Sequence, residues 1–140
     1  MTDEKALADL ASFARKCLNA ERFPEAILSF SPAECPSCGV VPLVPTIEHH
    51  TGSRAGNFRG VMIAQCSQCG MQPRIFSFTG KHRRRSREEK PSCSCGNRAF
   101  LIAECERIER DAALGSFFDE GVVVGKCARC GRNHAFVYTD

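Results

Sequence analysis

Four pairs of cysteines stand a short turn apart in this chain: Cys35/Cys38, Cys66/Cys69, Cys93/Cys95 and Cys127/Cys130. Thiols paired at that spacing can bind a metal as thiolates, whereas disulfide frameworks scatter their cysteines along the chain. Each pair is followed by glycine, at Gly39, Gly70, Gly96 and Gly131. In a Cys-x-x-Cys-Gly turn the glycine takes a backbone conformation that a Cβ would obstruct. The amides of the turn point back at the sulfurs and offset their negative charge. Two such turns supply four thiolates, which complete a tetrahedron around zinc and leave no position for a catalytic water. The expectation is two structural Zn(II) ions, one held by Cys35, Cys38, Cys66 and Cys69 and the other by Cys93, Cys95, Cys127 and Cys130. The Cys93-Ser94-Cys95 turn is one residue shorter than the rest, and strain is expected there.

The elements that carry these turns repeat. Gly60 to Gly70 reads GVMIAQCSQCG and Gly121 to Gly131 reads GVVVGKCARCG, and the leading turns correspond as CPSCG and CSCG. RIFSFTG, from Arg74, matches HAFVYTD, from His134, each with the alternating aromatics of a half-buried strand. Each copy therefore reads as knuckle, strand, loop, strand, knuckle, strand. The 27 residues between Cys38 and Cys66, and the 31 between Cys95 and Cys127, leave room for three antiparallel strands. Units of about 50 residues bury too little surface to fold comfortably unaided, and a metal answers that need.

Ahead of the copies, residues 1–32 read as a helical leader. Leu7, Leu10, Ala11, Ala14 and Leu18 form an apolar stripe over a helix at about 3–19, and Pro24 opens a short helix at about 24–30. The division expected is leader 1–32, first unit 33–80, basic linker 81–91 and second unit 92–140. Two cysteines fall outside the pairs. Cys17 lies beside the helical stripe and Cys105 in a strand, where its counterpart is Glu48, so both read as small buried hydrophobes.

The paired knuckles resemble the zinc-ribbon superfamily, in which two such turns sit at one end of a small antiparallel sheet, as in transcription elongation factor S and the small zinc-ribbon subunits of RNA polymerases. The resemblance covers roughly residues 33–80 and 91–140 and implies a small metal-stabilised α+β fold: two tandem three-stranded antiparallel zinc ribbons behind an N-terminal helical segment. Ribbons serve as nucleic-acid binders, as polymerase and ribosome parts and as docking modules, so the fold type leaves the function open. Rubredoxins use similar knuckles for iron, but their small cores are rich in aromatics that include tryptophan, and this chain has no Trp and one Tyr.

The formal charge of +3 treats every thiol as neutral, and eight thiolates with two Zn(II) ions bring it to −1. Its distribution is uneven: residues 1–34 carry −2, 35–90 carry +6 and 91–140 carry −1. Arg54, Arg59 and Arg74, with Lys81, Arg83, Arg84, Arg85 and Arg87 of the linker, are the expected nucleic-acid contacts. Phe117 and Phe118, in the stretch ALGSFFDEG beside an acidic second unit, are the expected protein-docking residues if that stretch is a loop. The function expected is a non-enzymatic adaptor that binds nucleic acid through its first unit and linker and a protein partner through its second unit or leader. Protein docking alone is the alternative. A minor alternative is a degenerate HNH-like nuclease, because Glu48, His49, His50 and Asn57 resemble that family's order. Gly70 stands where that family commonly has histidine, and the second unit holds nothing comparable. A start lacking secretory features, no apolar run long enough to span a membrane and closely paired thiols point to a reducing cytoplasmic setting, with neither membrane nor small-molecule partner.

Overall fold

The computed structural model describes residues 4–51, 58–80, 88–111 and 116–139, with side chains for all of these except 49–51, 58–59, 74, 78–80, 109–111 and 116–119. Helix α1 spans Glu4–Cys17 and buries Leu10 and Ala14, with Leu18 just beyond its end. It stops where Asn19 turns left-handed, at φ 51°, a conformation asparagine tolerates better than most residues. A single 3₁₀ turn, Ala20–Arg22, follows.

The short helix expected at 24–30 is a strand instead, β1, Ile27–Pro32. The residues Ile-Leu-Ser-Phe-Ser alternate with period two: Leu28 and Phe30 pack inward while Ile27, Ser29 and Ser31 are exposed. Alternation with an available sheet edge prevails over the helix-starting preference of Pro24.

Seven further strands complete one eight-stranded sheet: β2 Leu43–Thr51, β3 Phe58–Cys66, β4 Arg74–Gly80, β5 Glu88–Glu89, β6 Phe100–Asp111, β7 Ser116–Cys127 and β8 Asn133–Thr139. Strands β2-β3-β4 and β6-β7-β8 form two antiparallel meanders, and the path runs β4-β3-β2-β6-β7-β8. The copies match in detail. The β3/β4 register slips after Met62 and the β7/β8 register after Val123, so a bulge falls at Ile75 in one copy and at Phe136 in the other. Phe136 is seated because its neighbour is Gly125, where a Cβ would lie 2.4 Å from the ring.

Among the described residues, the two meanders pair directly at Leu43 with Phe100. These are the same position in each copy, because Leu43 pairs with Cys66 and Phe100 with Cys127. A residue facing its own counterpart is the signature of twofold symmetry, here inside one chain. The strands that lead into the knuckles obey it as well, and they are exchanged. Strand β1 precedes the first knuckle but pairs with β6 of the second unit, through Phe30 with Cys105 and Ser31 with Glu104. Strand β5 precedes the second knuckle but pairs with β2 of the first unit, through Glu88 with Glu48 and Glu89 with Ile47. The expected linker is therefore partly sheet, and its residues 81–87 lie outside the described residues.

The main core draws on both units: Leu43, Ile47, Met62 and Ala64 meet Phe100, Ile102, Val123 and Val137. On the other face of β6 and β7, Ala103, Cys105, Val122 and Val124 receive Leu10, Ala14 and Leu18 of the leader. Full burial of each large apolar side chain is worth about 1.5–3 kcal/mol, which is what docks the helix. Arg107 of β6 pins the chain after α1. It is buried, donates to the Leu18 carbonyl, pairs with Glu120 at 2.7 Å and lies 3.9 Å over the Phe23 ring.

The exchange carries a consequence for a nicked chain. Cleavage at a protease site inserted between residues 82 and 87 should leave two fragments that co-elute under native conditions. Fragments that separate without denaturant would contradict the exchange.

Candidate metal centre

Each strand pair that ends in a knuckle delivers its cysteines to one spot. The four sulfurs of Cys35, Cys38, Cys66 and Cys69 lie within 4.8 Å of one another, and so do those of Cys93, Cys95, Cys127 and Cys130. The Cys35–Cys69, Cys93–Cys130 and Cys95–Cys127 sulfurs are 3.5, 3.4 and 3.6 Å apart. A disulfide would bring them to about 2.0 Å. Four thiolates at 2.3 Å from a tetrahedral ion stand roughly 3.8 Å apart, so both groups fit a metal held by four cysteines. One member of each knuckle, Cys35, Cys66, Cys93 and Cys127, belongs to the main core, so the sites are built into the core as well as onto the surface.

The knuckle turns behave as their glycines require. Gly39, Gly70, Gly96 and Gly131 have φ of 81°, 78°, 91° and 78°. In three knuckles the glycine amide returns to the carbonyl of the first cysteine four residues back, at 2.9 Å for Cys35 and 3.0 Å for Cys66 and Cys127. In the short knuckle Gly96 reaches Cys93 three residues back, at 2.8 Å. The missing residue is thus absorbed by a tighter turn, and no non-glycine residue there adopts a left-handed backbone. The strain expected at this knuckle does not show in its backbone.

Amides point at the sulfurs and ease their ionisation. The backbone amide of Cys69, helped by that of Gln68 at 3.4 Å, draws the Cys66 thiol down to about 7 against the effect of burial. At Cys127 burial again opposes ionisation, but the amides of Cys130 and Arg129 and the side chain of Asn97 outweigh it and bring the thiol to about 5. Asn97 is the difference between the sites. Its Nδ2 donates to Cys127 Sγ at 3.3 Å and to the Ala99 carbonyl at 2.8 Å, whereas the equivalent residue in the first unit is Val40. A hydrogen bond with the Cys69 thiol pushes the Cys38 thiol up to about 12.

The remaining expected site residues scatter. Arg59 occupies a strand position paired with His50 and Thr79, at the end of the first meander away from its knuckles. Arg74 pairs with Ile63, nearer the knuckle end, so the structure does not bring it together with Arg59. Arg54, Lys81, Arg83, Arg84, Arg85 and Arg87 lie outside the described residues, as does Asn57. His49 and His50 are strand residues of β2, paired with Gly60 and Arg59. Phe117 and Phe118 are not on a loop: β7 already includes them, paired with Arg110 and Glu109. The β6 and β7 strands run for 12 residues each, because their register continues unbroken past the point where a turn was expected. Cys105 is buried as expected, its thiol pushed up by desolvation, and Cys17 packs against the same cluster. Among the described residues all ten cysteines are unbonded to one another, and no helix is long and apolar enough to cross a membrane.

No family model, curated protein or solved structure matches this chain. What defines it is its own geometry: two four-cysteine groups that could each hold a metal ion, in one antiparallel sheet with a helix on one face.

Metal release in acid should follow the amide donors. Lowered thiol pKa values favour binding above them, and that advantage is lost as pH falls through them, so the first site, with Cys66 at about 7, should empty before the second, with Cys127 at about 5. Asn97→Ala should weaken the second site by about tenfold in chelator competition and bring the two release steps together. A single release step in the unmodified protein, or no effect of Asn97→Ala, would contradict this assignment.

Proposed function

We propose that the chain is a non-enzymatic adaptor of zinc-ribbon type, in which two structural Zn(II) ions hold a scaffold that binds nucleic acid through the basic end of its first unit. The zinc assignment rests on the donor set, since four thiolates in a tetrahedron suit an ion without ligand-field preference. Iron suits the same donors. The tryptophan found in the cores of the iron proteins with similar knuckles is missing, and Phe100 and Phe136 form a ring pair in the core here.

The observation that carries the nucleic-acid reading is where the arginine-bearing segments are anchored. Thr51 and Phe58, which bracket residues 52–57 with Arg54, pair with each other. Gly80 and Glu88, which bracket residues 81–87 with Lys81, Arg83, Arg84, Arg85 and Arg87, pair with Phe58 and Glu48. Both segments thus start and finish at one end of the first meander, beside Arg59. Six arginines and a lysine anchored around one sheet end form an electrostatic footprint for phosphates. Against protein docking through the leader, the apolar stripe of α1 is already spent on the sheet through Leu10, Ala14 and Leu18. Docking through the acidic β6-β7 hairpin is compatible with the nucleic-acid reading and does not compete with it.

Binding of this kind weakens as salt rises, because each phosphate contact releases counterions. Replacing Arg83, Arg84 and Arg85 by alanine should lower the slope of log affinity against log salt by about 2 to 3 on labelled oligonucleotides, at unchanged metal content. An unchanged affinity and slope would remove those arginines from the contact.

A further inference from the structure

The internal symmetry supplies a control that a single domain lacks: each surface position of one unit can be compared with its equivalent in the other. At the metal knuckles the two differ in charge. Around the first site, residues 34–42 and 65–73 carry one charged side chain, Glu34. Around the second, the equivalent stretches carry Arg98, Lys126, Arg129 and Arg132, in place of Val41, Gln65, Gln68 and Met71.

These cations are gathered on one surface by the bonds of the knuckles. Cys127 donates its amide to the Arg132 carbonyl at 2.9 Å, Ala128 to the Ala99 carbonyl at 3.0 Å, and the Arg132 guanidinium reaches Ser94 of the facing knuckle. Lys126 is engaged with Asp9 of α1 and with the Gly131 carbonyl. Arg98 and Arg129 are exposed and, among the described residues, their guanidinium groups make no ion pair or hydrogen bond. Arg129 also borders a cleft of about 500 Å³ between the two units, lined with Lys126, Gln68, Val40, Val41 and Leu101.

The simplest structural use for such arginines would be to balance the two net negative charges of a metal with four thiolates. The first site's own knuckles present the same four thiolates and carry none of these cations, although Lys126 and Arg129 share a cleft with its Gln68. A four-cysteine site in this chain therefore does not require cations within its own knuckles. The arginines also lie on the basic half of the molecule. Strand β5, paired to β2 at Ile47 and Glu48, enters the second knuckle four residues later at Cys93, so this knuckle hangs from the half of the first unit that carries the arginine segments.

We propose that the knuckle face of the second metal site, with Arg98, Arg129 and Arg132, is a second phosphate-contacting surface that extends the nucleic-acid footprint of the first unit across the joint. The proposal rests on the nucleic-acid reading above. It divides the second unit into an acidic hairpin end, with Glu104, Glu106, Glu109, Asp111, Asp119 and Glu120, and a basic knuckle end, although its net charge is negative.

The test compares the unmodified protein with Arg98→Gln/Arg129→Gln and with the Arg83, Arg84 and Arg85 alanine variant, using labelled 20-nucleotide single-stranded DNA and RNA and a 20-base-pair duplex over a range of salt. Arg98 and Arg129 are exposed, so the double glutamine variant should keep its metal content and far-ultraviolet spectrum. It should lose about tenfold in affinity at low salt and lower the salt slope by about 1 to 2. If the double variant binds like the unmodified protein while the alanine variant loses binding, the second surface falls and the first-unit reading stands. If the unmodified protein binds none of the three probes, the nucleic-acid reading itself falls. If polyglutamate of equal charge displaces the oligonucleotides equally well, the surface belongs to an acidic protein partner and the proposal is overturned.

Discussion

A three-stranded sheet of about 50 residues has two faces and too few side chains to cover either. Everything else in this molecule answers that constraint. Twofold placement brings the inner faces of the meanders together around Leu43 and Phe100, so each copy serves as the other's missing layer. The outer face of the second copy is covered by α1. The knuckles close the strand ends, with the side chains of Cys35, Cys66, Cys93 and Cys127 in the shared core and within the groups that could hold a metal ion. A metal bound there would couple to core formation, by on the order of 10 kcal/mol per site in comparable zinc peptides.

Exchange of β1 and β5 makes the joint more than a contact. A strand that enters one knuckle is hydrogen-bonded into the other unit, so opening either site frees an edge of its neighbour. The arrangement is that of two interlocked subunits made continuous by residues 81–87. Charge is arranged on the same plan. Because β2 and β6 run antiparallel from the joint, the hairpins depart in opposite directions, one bracketing the arginine segments and the other carrying Glu104 and Glu106.

Much of the metal chemistry was legible in the residues. The four cysteine pairs, their glycines and the repeat offset locate both groups of ligands, because short-range turn geometry is written locally. The interlock was not legible. Ile27 to Pro32 becomes a strand only because β6, more than 70 residues away, offers an edge, and Glu88 and Glu89 join β2 without any apolar signature of their own. Arg107 gave no signal either, since nothing local marks an arginine whose partners are a helix-end carbonyl at Leu18, a ring at Phe23 and a carboxylate at Glu120. The long β6-β7 hairpin was hidden by the stretch ALGSFFDEG, of which Ser116 to Gly121 are strand through register with β6.

The most direct test of this account is a titration of metal-free protein with cobalt(II), followed by thiolate-to-cobalt absorption and by amide hydrogen exchange on β2 and β6. The account predicts two equivalents, each with the spectrum of a tetrahedral four-thiolate site, and protection that arrives in both units together. Fewer than two equivalents, or full protection of both strands before any metal is added, would contradict it.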